Sequence, residues 1–453
     1  MRLDTGSFSR PEAGDHRAVR LTTHPGSRDD AAGQGVPPGP AAGRRVCPGR
    51  PTGPVREPGS TIVAVRRPRT SRFVAGGAVL VVLAGAVAWG TMAATASKSS
   101  PSTPSPSSTP TISTVSLDQR TAYTPKAPAG ATDDYHCTLL DPHLTKSSYI
   151  ISSQFLPGSG EVHHAILFLV PPDLASAAEA ANVGGQGWSC FGETPIPNTG
   201  LAQISDTPWL SAWAPGHGAD ALPKGTGVLL PAGSLVVMQV HYNLLVGDKP
   251  VKNSLVLHTV PASTPLLPLN LDLMPAPPDI PCAPGVTGPL CSRSAELANL
   301  GQRFGQSQVG FVNVLESICG RNPNDPPVGD TTSCLWPVSS KGYIVRVGAH
   351  MHLLGVSFTM VLDPGTPHAK TILDVPDYNF HYQKAYNLAA PVPVQPGDKV
   401  QVNCTYNPAL GQQLPLLRTV APHFVTWGDG SADEMCLGLM WTAASLPDTH
   451  APV

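Results

Sequence analysis

In the stretch GAHMHLLG, Gly348 to Gly355, two histidines stand one residue apart and continue the apolar run YIVRV. Alternate residues of a strand share a face, so His350 and His352 point the same way. Two imidazoles on one face are either a metal site begun or two ordinary core or rim histidines. Two more strand-like runs carry histidines: EVHHAILFLV with His163 and His164, and VVMQVHYN with His241. Neighbours on a regular strand face opposite ways, so His163 and His164 reach one metal only through a bend or through different ring nitrogens. Read instead as one core and one surface residue, the pair is costly to bury unless its nitrogens are satisfied, which a metal does directly. Met435 in GDGSADEMCLGLMW follows an acidic pair and opens an apolar run. Most such methionines are core residues. As a ligand, a thioether selects soft Cu(I), so a His-His-Met set indicates copper rather than zinc.

Other residues carry less. His143, His217, His368 and His450 lie in polar or Pro-rich loops and read as surface residues, with His258, His381 and His423 intermediate. Asp433 and Glu434 read as an exposed loop pair before a buried strand rather than as an acid/base couple. The chain has no G-x-S-x-G, no H-E-x-x-H and no phosphate-binding glycine loop, which leaves a hydrolase little support.

The elements that must position these side chains are strands. At 453 residues there is room for two or three domains. Helical periodicity is confined to DLASAAEAAN (173–182) and SAELANL (294–300). The apolar runs are short and rich in β-branched residues, as in YIISSQFL, SLVVMQVHY, NSLVLHTV and KVQVNCTY, with turn residues such as PAG and PGD between them. This pattern predicts an all-β sandwich protein.

Residues 1–72 hold 13 Lys+Arg against 6 Asp+Glu, and the remainder holds 16 against 25. Scattered among Gly and Pro and with few aromatics to stack bases, the basic head reads as a disordered cytoplasmic tail, not a nucleic-acid binder. FVAGGAVLVVLAGAVAWGTM (73–92) is uncharged and long enough to span a bilayer, and the arginines before it place the amino terminus inside. ATA at 94–96 also fits a signal cleavage site, so a single-pass cell-membrane anchor with the bulk extracytoplasmic, or a secreted product, are both open. The Ser/Pro/Thr-rich segment that follows reads as an extended spacer. Cys47 falls in the tail, while Cys137, Cys190, Cys282, Cys291, Cys319, Cys334, Cys404 and Cys436 follow the apolar segment. Eight cysteines in an oxidising compartment suggest disulfides, whose connectivity the sequence alone does not settle.

Taken in order, VHHAILFL, QVHYN, AHMHLLG, PGDKVQVNCTYN and DEMC resemble the copper type II, ascorbate-dependent monooxygenases, the family of peptidylglycine α-hydroxylating monooxygenase and dopamine β-hydroxylase. The resemblance spans about residues 130–445. It implies two jelly-roll-like β-sandwich domains, each holding one copper across a solvent-filled cleft. The expected organisation is a basic tail (1–72), a transmembrane helix (73–95), a linker (96–128), an N-terminal copper-binding domain (129–285) and a C-terminal one (286–447). By motif match, His163, His164 and His241 form an electron-supplying copper site. His350, His352 and Met435 form the oxygen-activating one. The implied reaction is hydroxylation of a C–H bond of a small organic substrate with O2, ascorbate or an equivalent being the reductant and two coppers per chain the cofactor. Cys404 and Cys436 match the family disulfide beside the methionine loop. The remaining pairs expected are Cys137–Cys190, Cys282–Cys291 and Cys319–Cys334.

The pattern departs from the peptide-amidating members, which hold a substrate carboxylate with a basic residue two before the first histidine of the H-x-H pair and a tyrosine four after the methionine. Those positions are Gly348 and Leu439, which puts peptide amidation in doubt, although Arg346 could reach the cleft from elsewhere. The alternative from a different class is a non-catalytic copper-binding or copper-storage protein. A blue-copper carrier fits poorly, because the resemblance implies a disulfide partner for Cys436, and on a strand it is expected to face away from its neighbour Met435.

Overall fold

The computed structural model describes residues 110–190, 196, 209–216, 218–451 and 453, all within one compact unit, Ser99–Val453. The basic tail, the apolar segment 73–95, the Ser/Pro run up to 109 and His217 lie outside the described residues. Among the described residues no helix is long and apolar enough to cross a membrane.

The architecture is mostly β-sheet. β1 (Asp133–Leu140), β2 (Val162–Val170) and β3 (Leu235–Asn243) form the middle of a five-stranded sheet, with β3 central and antiparallel to both neighbours. Every residue of β3 is buried. Its alternation is hidden in the sequence because both faces are covered: Val236, Met238 and Val240 enter one apolar cluster and Leu235 and Val237 another. The first of these clusters is shared with a second sheet, in which Ser148–Leu156 lies between Ser254–Pro261 and Thr226–Leu230. Ser113–Asp118 pairs along Ser254–Pro261 and buries Leu117, so the segment expected to be spacer up to 128 is already sheet at 113. Its β-branched STVS sits at the end of a Ser/Thr/Pro run whose composition masks it.

The second pair of sheets holds β4 (Gly342–Met351), β5 (Lys399–Tyr406) and β6 (Cys436–Ala443). β6 lies between Asn270–Pro275 and β4, and Ala385–Val394 flanks β4 on its other side. β5 lies between Thr331–Pro337 and Gly355–Leu362 in the opposing sheet. Ile344, Val347, Phe358, Met360, Val402 and Met440 fill the space between them. Asn270–Pro275 thus joins this pair of sheets ahead of the boundary expected at 286.

The two halves are not separate bodies with a wet gap. Val345, Leu437, Leu439 and Trp441 of β4 and β6 belong to the same apolar cluster as the first core. Arg346 reaches across to Asp220, with Nη2 at 2.6 and 2.7 Å from the two carboxylate oxygens, and also donates to Asn387 and the Ala221 carbonyl. Both of its terminal nitrogens are thus bonded across the junction, to Asp220 and the Ala221 carbonyl, while Nε is buried without a partner.

Helices α1 (Arg293–Phe304) and α2 (Gln306–Ile318) cover this junction, with Leu300, Val312 and Leu315 in the shared cluster. The Ser292 hydroxyl caps α1 by accepting from Ala295 N, and Gly305, at φ 92°, separates the helices. Among the described residues there are four disulfides: Cys137–Cys190, Cys282–Cys291, Cys319–Cys334 and Cys404–Cys436.

Candidate metal centre

The first histidine set is made by the pairing of β2 with β3. His164 and His241 are register partners, and the ladder slips between Val162 and His164. A bulge gives one strand an extra residue and re-aims its side chain, so His163 turns toward the partners it would otherwise face away from. The ring centroids lie 4.7 Å (His164–His241), 5.2 Å (His163–His241) and 5.4 Å (His163–His164) apart. All three residues are buried, and one ligand atom from each lies within 4.8 Å of the others.

Two observations show that this set suits a metal. The Nδ1 atoms of His164 and His241 are 3.2 Å apart, close to the ~3.3 Å that two nitrogens take when each is about 2.0 Å from one tetrahedral ion. The Nε2 of His163 is buried without a hydrogen-bond partner. Burial, reinforced by the neighbouring imidazoles, holds His163 and His164 well below the ordinary histidine range, so both are neutral and have a lone pair to offer at neutral pH. His241 donates from Nε2 to Asp133 Oδ1 at 2.8 Å, which orients its ring with Nδ1 facing His164. Tyr135 stacks on the His241 ring at 4.2 Å.

The second set sits at the end of β4. The His350 and His352 rings are 5.1 Å apart and nearly perpendicular. His350 Nδ1 lies 2.6 Å from Gln383 Oε1, and the Gln383 amide is oriented by its own donation to the Phe380 carbonyl. His352 Nδ1 lies 3.0 Å from the Asp433 carbonyl. Both partners can only accept, so both rings carry their proton on Nδ1 and present Nε2. The Nε2 of His352 is buried and unpartnered. Burial and the adjacent imidazoles push His350 down to about 3 and His352 to about 4.

Met435 is placed by β6. Cys436 is paired with Met351, so Met435 stands one step further on, level with His352. Glu434 binds the two elements together. Its carboxylate accepts from His352 N at 2.8 Å, Leu354 N at 2.6 Å and Met435 N at 3.2 Å. Burial pushes the Glu434 carboxyl up to about 8, while those amide bonds pull it back. Asp433 receives Arg303 of α1 on both oxygens, at 2.8 and 2.7 Å, and Arg303 also reaches Glu296. The expectation of an exposed acidic pair is therefore corrected: Asp433 is 1 % and Glu434 0 % exposed, because their partners lie inside the protein. Gly428 and Gly430 make this possible, since a Cβ on either would come within 2.7 Å of the Asp433 side chain.

The two sets abut. His164 and His350 have ring centroids 5.5 Å apart, and Phe380 stacks on His163 at 3.9 Å while lying 5.9 Å from His352. The solvent-filled cleft that the resemblance implies is replaced here by ring-to-ring contact. Asp133, Phe380, Gln383 and Glu434 were not singled out from the sequence as site residues. Glu434 lies inside the DEMC motif without being read as a site residue, the other three lie outside the ligand motifs, and only the fold brings them to the imidazoles. His423 is held by the Ala421 and Ala432 carbonyls, and His258 lies beside Thr114, so neither joins the cluster. Gly348 and Leu439, the departing positions, are register partners and form an apolar contact.

No curated protein matches this chain. The solved structures it resembles are distant. Allantoicase is 10% identical, with 65% of this chain and 87% of that one covered and a TM-score of 0.17. The pumpkin pro-11S globulin is 8% identical, covering 74% and 85%, with a TM-score of 0.14. A Bacillus subtilis oxalate decarboxylase is 10% identical, covering 74% and 78%, also with a TM-score of 0.14. Residues 331–444 match the profile of the copper type II ascorbate-dependent monooxygenase C-terminal domain. This segment holds His350, His352, Met435 and the Cys404–Cys436 bridge, and over that span the chain is similar to the C-terminal domain of the copper type II ascorbate-dependent monooxygenases.

Proposed function

We propose that this chain is a copper-dependent monooxygenase that hydroxylates a C–H bond of a small organic substrate with O2 and an ascorbate-like reductant. Two coppers per chain are held, one by His163, His164 and His241 and one by His350, His352 and Met435. The observation that carries this reading is the presence of two unlike sets of buried imidazoles that abut one another. One set has His164 and His241 approaching through Nδ1, and the other has both Nδ1 atoms bonded to acceptors, with the His352 and Met435 amides held on one Glu434 carboxylate.

Copper, when bound, supplies one-electron transfer and dioxygen activation. The protein's part is positional. Gln383 and the Asp433 carbonyl fix the proton of each second-set imidazole, and Glu434 holds the H-x-H turn against Met435. Phe380 packs against both sets, stacked on His163 and edge-on to His352. The apolar Gly348–Leu439 contact offers no charge to a substrate carboxylate, which supports a substrate other than a peptide carboxyl terminus. The two pairs of sheets correspond on this reading to two jelly-roll-like β-sandwich domains. Residues 73–95 are proposed as a single-pass anchor that leaves the copper sites extracytoplasmic, or as a cleaved signal.

A non-catalytic copper-binding protein is the alternative. Two dissimilar sites, each with its own positioning groups, are more than storage requires. The test is oxygenation of a panel of small substrates by the copper-loaded full chain with ascorbate and ¹⁸O-labelled dioxygen. The expected product carries one labelled oxygen atom and disappears in Met435→Ile. A chain that holds its copper but labels nothing in the panel favours the storage reading.

A further inference from the structure

We infer that Asp133 is a positioning residue shared by the two metal sets: its carboxylate fixes the proton of the first-set ligand His241 and anchors, through Ser431, the loop that carries the second-set ligand Met435. The inference rests on the two-site reading above and concerns how those sites are coupled.

Asp133 opens β1, where it pairs with Asn243, and is 1 % exposed. Both of its oxygens are used twice. Oδ1 accepts from His241 Nε2 at 2.8 Å and from the Ser431 hydroxyl at 2.6 Å. Oδ2 accepts from Ser431 N at 3.0 Å and from the Thr132 hydroxyl at 2.8 Å. Four donors converging on one side chain require two acceptor oxygens, which a carboxylate has and an amide lacks. Two of the four bonds go to one residue of the opposite half, Ser431, whose hydroxyl also receives Asn243 Nδ2 at 3.3 Å.

Ser431 stands in the segment that fixes the second set. Two residues on, the Asp433 carbonyl receives His352 Nδ1; three residues on, Glu434 receives the His352, Leu354 and Met435 amides. A shift at Ser431 is therefore transmitted within one short turn to the proton of His352 and the placement of Met435. The loop has other tethers, Arg303 on Asp433 and the Tyr135 hydroxyl on the Asp429 carbonyl, so losing the Ser431 contact moves the loop without unfolding it. In the other direction, a metal drawn to His241 Nδ1 strengthens the Nε2–H bond to the carboxylate that holds Ser431. Occupancy of either set thereby biases the other, and such coupling is reciprocal.

The experiment compares the copper-loaded full chain with Ser431→Ala and Asp133→Asn. Two readouts report the sets separately: sulfur scattering in the copper X-ray absorption of the Cu(I) form for the Met435 set, and the Cu(II) electron paramagnetic resonance signature for the histidine set. Ser431→Ala should weaken the sulfur signal and lower Cu(I) affinity at one of the two sites about tenfold, leaving the first-set Cu(II) signature unchanged. Asp133→Asn should change that signature as well and cost about 10–100-fold in first-set affinity, the usual effect of removing a group that orients a ligand. The inference is overturned if Ser431→Ala retains the parental sulfur signal and Cu(I) affinity, or if Asp133→Asn alters the first set alone; Asp133 is then an ordinary partner of His241. A parent chain with no sulfur scattering overturns the assignment of Met435 itself, and with it both the two-site reading and this coupling.

Discussion

Glu434 is the most heavily used acceptor beside the second set, and its removal gives a prediction that can be worked from the structure. Glu434→Ala strips the acceptor from three buried amides, those of His352, Leu354 and Met435. Each buried N–H left unpaired costs about 1–3 kcal/mol, a gross loss of roughly 3–9 kcal/mol. Water entering the space left by the side chain offsets part of it, so the expected destabilisation is about 4 kcal/mol. Glu434→Gln keeps the shape and one acceptor oxygen but turns an amide NH2 toward N–H groups, and should cost roughly 1–3 kcal/mol. The assay is urea unfolding of the copper-free full chain, paired with Cu(I) retention against a competing chelator, since metal binding would otherwise mask the loss. The order parent, Gln, Ala should hold in both measurements. An alanine variant within about 1 kcal/mol of the parent that also keeps its second-set copper would refute the claim that this carboxylate holds the H-x-H turn.

Two other predictions follow from neighbouring groups. His350 and His352 are depressed to about 3 and about 4 by burial. The unfolded chain therefore binds more protons than the folded one below about pH 6.5, and stability is lost as pH falls through that window. At pH 5.5 the two histidines together should cost the metal-free protein about 2.5 kcal/mol relative to pH 7, with His163 and His164 acting in the same direction. Glu434, raised to about 8, acts in the opposite direction over this window, so unfolding midpoints at pH 7.5, 6.5 and 5.5 are compared between the parent and a His350→Gln/His352→Gln variant; equal pH slopes in the two contradict the histidine effect. The Cys404–Cys436 bridge closes a loop with a sequence separation of 32. Replacing both cysteines by alanine should cost about 3–4 kcal/mol on loop-entropy grounds and loosen Met435 beside it. Unfolding and Cu(I) affinity should fall together; a stable variant with parental Cu(I) affinity contradicts that link.

Much of the strand framework was legible because its side-chain chemistry is local. VHHAILFLV, SLVVMQVHY and KVQVNCTY fall on β2, β3 and β5 almost residue for residue. Adjacent His163 and His164 need a bend to face one another's partners, and the ladder slips between Val162 and His164. Less legible was α2: QSQVGFVNVLESI has β-branched residues and glycine inside it, and tertiary packing of Val312 and Leu315 overrides that weak local preference. SAELANL was recognised as helical but only as the middle of α1. The acidic pair Asp433–Glu434 was misread because sequence carries no record of Arg303, 130 residues away, or of the amides that fold back onto Glu434. The same reason hid Asp133 and Gln383. Ligands belong to short motifs, whereas the groups that orient them are brought in by topology.

The central claim, that this chain carries two unlike copper sites, is tested most directly by counting copper per chain after loading and dialysis, in the parent and in His241→Ala and Met435→Ile. The account predicts two coppers in the parent and a fall toward one in His241→Ala. Met435→Ile should keep Cu(II) through His350 and His352 but lose that copper under reducing conditions. A parent that holds one copper or none would contradict the two-site account.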